Sequence, residues 1–252
     1  MSKKSLGDND LASDEEHAAR ANLGELFGNS PIPQQEMLQN LGLYINRKSL
    51  SRLLFLHELY KKIIDVHGVV MEFGVRWGQT LSLFTSLRGI YEPYNYNRKL
   101  IGFDTFEGFL EPNRKDGNAR RICKGNYSVT KDYEGYLADL LDYHEQESPI
   151  SHIQKYSLIK GDASVKITEY LDKNPETIVA LAYFDFDLYK PTYDCLKAIR
   201  PHLTKGSVIG FDELNDSNFP GETLALKEIL GLDSFSIKRM PYCPMSSYIV
   251  IE

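Results

Sequence analysis

From residue 69 onward, short apolar runs alternate with amphipathic segments of helical length, the pattern of an α/β sheet. The runs are VVMEFGV, KLIGFD, YSLIKGD, TIVALAYFD and GSVIGFD. Between them lie QTLSLFTSLRGI, part of 131–147, SVKITEYLDKN and PTYDCLKAIRPHL, each with apolar positions at helical spacing. After GFDELNDSNFPGE the pattern predicts one more helix, TLALKEILG, and two strands, SFSIKRM and SSYIVIE, joined only by PYCPM. So short a link permits an antiparallel hairpin and cannot make a parallel crossover. The expected architecture is α/β: a doubly wound, seven-stranded mixed sheet of five parallel strands plus a C-terminal antiparallel hairpin.

Ahead of the sheet, residues 1–20 are polar and read as a disordered tail. Residues 21–67 read as an N-terminal helical cap: a loop with two prolines, a short helix, then SLSRLLFLHELYKKIIDVHG. In that last segment Leu50, Leu53, Leu54, Tyr60, Ile63 and Ile64 recur at helical spacing, with Ser49 as expected N-cap and Gly68 as stop. Residues 68–252 form the main domain. Its one long interruption, 110–150, reads as a lid-like insertion whose Arg114, Lys115, Arg120, Arg121 and Lys124 could hold a phosphate.

The candidate chemistry stands at the strand ends. Asp185 closes the fourth apolar run, and Asp212 with Glu213 closes the fifth. One helix-length segment separates them, so a strand–helix–strand unit would bring both ends to one sheet edge, where doubly wound folds bind ligands. Gathered carboxylate oxygens suit a hard divalent cation such as Mg2+; the alternative is a set of ordinary helix caps. The first strand turns through MEFGVRWGQT, where Gly74 and Gly78 let a ligand approach the backbone and Glu72 suits a cationic group. The G-x-G-x-x-G spacing of dinucleotide folds is absent. Asp104 ends the second strand, where such folds place a carboxylate against ribose hydroxyls. Asp162 ends the third, as an adenine acceptor or a helix cap.

Together MEFGVRWGQT, IGFDTFEGF, KGDAS, FDFDLYKPT and GFDE resemble the macrocin O-methyltransferase family (TylF/MycF-like), over about residues 68–232. These are class I S-adenosylmethionine-dependent methyltransferases with a Rossmann-like fold. The resemblance implies S-adenosyl-L-methionine and Mg2+ or another divalent cation as cofactors, and a sugar hydroxyl of a nucleotide sugar, glycoside or natural product as acceptor. It implies that Glu72, Gly74 and Gly78 hold the methionine part, Asp104 the ribose, and Asp162 with Ala163 the adenine. Val75, Trp77, Thr80, Thr105 and Asp185 complete the expected cofactor set. Asp185, Asp212 and Glu213 correspond to the metal ligands. Glu213 departs from the Asp often found there, and Leu188 stands where catechol-type enzymes carry a lysine, so a lysine base does not transfer. Asp187 is the first candidate for the base, beside Asp185 as catalytic residue, and Lys190 is the second.

Composition narrows the partners. A net charge of −6 argues against nucleic acid, no apolar run approaches membrane-spanning length, and three scattered cysteines (Cys123, Cys195, Cys243) fit a reducing, cytoplasmic setting. The resemblance suggests a homo-oligomer. Two other readings remain: a nicotinamide-dependent oxidoreductase on the same kind of sheet, and a non-catalytic module that binds S-adenosylmethionine.

Overall fold

A computed structural model describes residues 12–252. Among these, seven strands form one sheet in the order β3-β2-β1-β4-β5-β7-β6. They are β1 (Val69–Phe73), β2 (Leu100–Asp104), β3 (Tyr156–Lys160), β4 (Val179–Phe184), β5 (Leu203–Phe211), β6 (Lys238–Met240) and β7 (Cys243–Val250). The first five pair in parallel, and β7 runs antiparallel to both β5 and β6. The expected mixed sheet and terminal hairpin are therefore present. Because the chain builds β1, β2 and β3 outward and then returns to place β4 on the other side of β1, the strand order reverses between β1 and β4. A crevice opens at such a reversal.

Helices cover both faces. On one face α3 (Arg47–Lys61), α4 (Gln79–Tyr91) and α5 (Tyr133–Gln146) bury Phe55, Leu59, Leu81, Phe84, Leu137 and Leu141 against Val70, Leu100 and Tyr183. On the other, α6 (Ala163–Lys173), α7 (Tyr189–Ile199) and α8 (Gly221–Ile229) bury Ile167, Cys195, Leu196 and Leu226 against Met71, Phe103 and Phe211. Cys195 is fully buried and serves as a packing residue.

One row of side chains fixes the geometry of the ligand edge. Phe103, Phe73, Phe184 and Phe211 stand in register on β2, β1, β4 and β5 and stack, with ring centroids 4.7–5.4 Å apart. Each buried ring contributes about 1.5–3 kcal/mol, and all four belong to the core on the α6–α8 face. Side chains alternate across a strand. The residues flanking this row, Glu72, Asp104, Tyr183, Asp185 and Asp212, are thus turned to the opposite face, the one that α3 covers.

The N-terminal region differs from expectation. Residues 14–20, read as tail, belong to α1 (Asp14–Gly28), which Ser13 and Glu16 close with a reciprocal capping box; residues 1–11 of that tail lie outside the described residues. The short helix is α2 (Gln34–Met37), continued by a turn of 3-10 helix over Leu38–Leu43. The N-cap of α3 is Asn46, whose side chain accepts from Ser49 N, so Ser49 is inside the helix. Its buried stripe is Phe55, Leu56, Leu59 and Tyr60, with Ile63 buried in the turn that follows, while Leu50 and Leu54 face out. The expected insertion also divides. Its second half is α5, which buries Leu137 and Leu141 as an ordinary sheet-covering helix. The segment 105–131 crosses the ligand edge and is pinned by Asp116, which accepts from Tyr189 N at the start of α7 and from Asn113 N. Among the described residues, no helix is long and apolar enough to cross a membrane.

Candidate active site

The crevice at the strand-order reversal is a cleft of about 500 Å3, a size that suits a small-molecule ligand. Its first half is built from the tips of β1, β2 and β3. Glu72, Gly74, Val75, Trp77 and Thr80 line it from the β1–α4 turn, Asp104 and Thr105 from the end of β2, and Asp162 and Ala163 from the start of α6. Gly78 lies behind this wall as the left-handed N-cap of α4 (φ 76°). At Gly74 (φ 97°) the two strands of the reversal come so close that an added Cβ would overlap the Asp185 carbonyl oxygen. Only glycine meets both demands.

The acids of this half differ in their satisfaction. Asp104 Oδ2 accepts from Arg76 N (2.7 Å) and Oδ1 from Phe106 N (2.5 Å), so backbone donors lock the carboxylate. Burial still holds Asp104 above the usual carboxylate range, against those hydrogen bonds. Asp162 caps α6 by accepting from Ser164 N (2.9 Å) while lining the cleft. Glu72 is fully buried, and its Oε2 has no hydrogen-bond partner. Burial, then the nearby Asp185, pushes its carboxyl well above the ordinary range. A buried acceptor without a donor is costly, and an ammonium in the cleft would satisfy it. The residues present thus fit the amino group and ribose of S-adenosylmethionine.

The second half comes from β4 and β5. Asp185, Asp187, Asp212 and Glu213 all line it. Arg52 of α3 reaches between the strand tips: its Nη2 donates to Asp185 Oδ2 at 2.7 Å and its Nη1 donates to Asp212 Oδ1. Tyr183 Oη (2.8 Å) and Ser246 Oγ (3.2 Å) donate to that same Asp212 oxygen. The charge is nevertheless unbalanced. Burial, then Asp212, raises Asp185 to about 7 and Glu213 to about 7. Burial and the neighbouring acids raise Asp187 well above its ordinary value. Asp187 sits in left-handed backbone (φ 59°), braced by Glu222 Oε1, which accepts from Phe186 N (3.0 Å) and Asp187 N (3.3 Å). Glu222 is itself buried, with Oε2 unpartnered and its carboxyl pushed up by burial and by Asp187.

Does this half fit a metal? Among the described residues, no three His, Cys, Asp or Glu side chains are drawn together as a ready cluster. In donor type and charge, however, the fit is good: the oxygens are hard, negative charge is in excess, and Glu213 Oε2 is buried without a partner.

Arg52 was missed in the sequence because α3 was read only as a cover for the sheet. Its signal was position: Arg52, Phe55, Leu56 and Leu59 follow i, i+3, i+4, i+7, which places an arginine on the buried stripe. Glu222 carried no signal beyond its place at a helix start. Of the aromatic residues near the cleft, Trp77, as expected, lines it together with Phe109 and Tyr127, whereas Phe106 and Phe219 are core residues and Tyr242 is exposed outside it. The insertion's basic residues do not line the cleft. Lys115 pairs with Glu228 and lies over the Tyr189 ring, and Lys124 pairs with Glu111. Lys190 lines the cleft at its exposed rim, with its ammonium paired to Asp194.

No protein-family model and no curated protein matches the chain. Solved structures do. The crystal structure of CalS11, calicheamicin methyltransferase, is 42% identical, superposes with a TM-score of 0.93, and is covered over 98% of its length by 99% of this chain. The apo structure of CalS11, described as a TDP-rhamnose 3'-O-methyltransferase in calicheamicin biosynthesis, matches at 42% identity and a TM-score of 0.84 over 95% of each chain. The O-methyltransferase NovP, 16% identical over 80% of each chain with a TM-score of 0.57, shares the fold.

Proposed function

The chain belongs to the family of S-adenosylmethionine-dependent O-methyltransferases represented by CalS11, and from that membership we propose that it methylates a hydroxyl of a nucleotide-linked sugar in natural-product biosynthesis. Membership leaves no room for the oxidoreductase and non-catalytic readings. The observation that carries the acceptor is the 42% identity, over 95% of each chain, to a protein named for TDP-rhamnose. The unbalanced carboxylates beside the cofactor half support it, since a sugar diol can share a cation with them. We also assign the finer likeness to macrocin O-methyltransferases, on the blocks MEFGVRWGQT, IGFDTFEGF and GFDE.

In this reading Glu72 Oε2 accepts from the amino group of the methionine moiety, the backbone at Gly74 lies against that moiety, and Gly78 opens α4 behind it. Asp104 accepts from ribose hydroxyls with the lone pairs that Arg76 N and Phe106 N leave free. Asp162 and Ala163 border the adenine, with Val75, Trp77, Thr80 and Thr105 completing the wall. A divalent cation, Mg2+ for instance, held by Asp185, Asp212 and Glu213 would polarise the acceptor hydroxyl and lower its pKa, next to a sulfonium-borne methyl group. Asp187 takes the hydroxyl proton as the oxygen–carbon bond forms and the carbon–sulfur bond breaks; burial, which raises its pKa, makes it a competent base once ionised. The cleft walls hold the two reactants in line. A cytoplasmic, homo-oligomeric enzyme is the setting we propose. Leu26, Phe27, Leu38 and Leu43 are exposed, and α1 buries no residue of its own, which supports assembly.

The test is mass spectrometry of methyl transfer to a panel of nucleotide sugars, with S-adenosylhomocysteine-induced thermal stabilisation as the binding readout. A singly methylated nucleotide hexose is expected. Asp185→Ala and Asp212→Ala should lose at least about 100-fold in turnover while keeping the stabilisation, and chelation should stop the wild type. Methylation of a glycoside but of no nucleotide sugar would overturn the acceptor assignment, and normal turnover in Asp185→Ala would overturn the metal assignment.

A further inference from the structure

We infer that Arg52 is a positioning residue of the metal centre, one that turns Asp185 and Asp212 so that each keeps one oxygen for the cation; this rests on the divalent-cation reading above. Asp212 Oδ1 receives three donors (Arg52 Nη1, Tyr183 Oη and Ser246 Oγ) and Asp185 Oδ2 receives Arg52 Nη2. Asp212 Oδ2 and Asp185 Oδ1 receive no hydrogen bond from the described residues. One planar fork therefore fixes the plane of both carboxylates and divides their oxygens into a structural pair and a free pair. Only a guanidinium does this, because its donors diverge at a set angle, whereas an ammonium is a single point. The fork is itself held. Its central carbon lies 5.7 Å from the Tyr183 ring centroid, and three-quarters of the side chain is shielded from solvent.

Asp187 stands beside the same acids, so four carboxyl groups face one guanidinium and the cluster stays acidic with Arg52 in place; what the guanidinium supplies is direction, not charge. Partners that orient ligands around a metal typically account for 10–100-fold in affinity. Arg52 also comes from α3, outside the strand–helix units that supply the ligands, so the helical cap is part of the metal centre and not merely a cover for the sheet.

The experiment measures Mn2+ binding by the electron paramagnetic resonance signal of the free ion, without acceptor or turnover. It compares the wild-type chain with Arg52→Gln, Arg52→Lys and Arg47→Gln, the last an exposed position on the same helix. Arg52→Gln should bind Mn2+ about 10–100-fold more weakly, Arg52→Lys should fall between it and the wild type, and Arg47→Gln should be unchanged. Stabilisation by S-adenosylhomocysteine should be equal in all four, which separates positioning from a general loss of fold. If Arg52→Gln does not fold, Arg52→Lys decides by the same measure. Mn2+ binding as tight as wild type, or tighter, in both Arg52 variants would overturn the inference and leave the metal site standing, with the guanidinium a spectator or a competitor. No Mn2+ binding by any of the four proteins would overturn the metal reading together with it.

Discussion

The two halves of the cleft are made from the same kind of residue, a carboxylate at a strand tip, and they treat it in opposite ways. In the half proposed to hold the cofactor, backbone amides fix Asp104 and Asp162. Each acid is paired locally, within a turn of chain or across one strand gap, and the half is preorganised by the fold itself. In the half proposed to hold the acceptor, Asp185 and Asp212 share one guanidinium from a distant helix, Glu213 and Glu222 keep unpartnered oxygens, and Asp187 is braced by another acid. Glu72 stands at the seam, buried like the first group and unsatisfied like the second. Locally satisfied acids build a rigid wall, whereas crowded acids either keep protons or hold charge for a cation to balance.

The strongest way to break this comparison is at the seam. Gly74→Ala places a Cβ on the Asp185 carbonyl oxygen in a backbone conformation (φ 97°) that alanine avoids. We expect a loss of about 4 kcal/mol or more, read as the shift of the urea midpoint, and loss of binding in both halves at once. A change that left acceptor-side chemistry intact would show that the halves are less tightly joined than their contact implies. Next in size is Glu222→Ala, which removes the acceptor bracing Phe186 N and Asp187 N and leaves buried donors unpaired. About 2–3 kcal/mol should be lost, with turnover falling while cofactor affinity holds. Glu222→Gln keeps an acceptor oxygen and mimics the protonated acid that burial favours, so it should cost under about 1 kcal/mol. Equal effects of the two substitutions would mean that Glu222 matters for its volume and not for its oxygen.

How much of this was legible in the chain follows from the same contrast. The sheet and the first half of the cleft were readable because their determinants are local. The apolar runs of β2, β4 and β5 are closed by an acid and that of β1 carries Glu72, and the phenylalanines of MEF, IGFD, YFD and IGFD stack in register, which turns those four acids to one face. The turn glycines announce their own close contacts. In the second half of the cleft only the acids at the strand tips were readable. Arg52 lies 133 residues from Asp185 and 160 from Asp212 in sequence, and Glu222 lies 35 from Asp187. No local pattern encodes such pairings; only the helical phase of Arg52 hinted at one. The helix of residues 14–20 was missed for a different reason. It buries nothing, so it left no apolar periodicity to read, and only its capping box, Ser13 with Glu16, marked it.

A smaller effect than either backbone disruption sharpens the contrast without altering the fold. Asp185 and Glu213 are both raised to about 7, chiefly by burial and then by Asp212, while in the unfolded chain each ionises near pH 4. Between roughly pH 4 and 7 the native cluster therefore holds protons that the unfolded chain has released. Stability from these groups is full below about pH 4, is lost as pH rises through 7, and levels off above it. Allowing for partial solvent screening at Asp185, the decline should be about 1–2 kcal/mol between pH 5 and 7.5 in cation-free buffer. Urea unfolding at several pH values would show it, set against Glu213→Gln, which cannot ionise and should be flatter over the same range. Asp104→Asn serves as the cofactor-half control: its acid is raised too, but backbone donors oppose the rise, so this variant should flatten the curve less than Glu213→Gln does. If Mn2+ restores the wild type at pH 7.5 and leaves Glu213→Gln nearly unmoved, the charge held in the acceptor half is what the cation answers. Parallel curves for all three proteins would place the unbalanced charge outside this cluster.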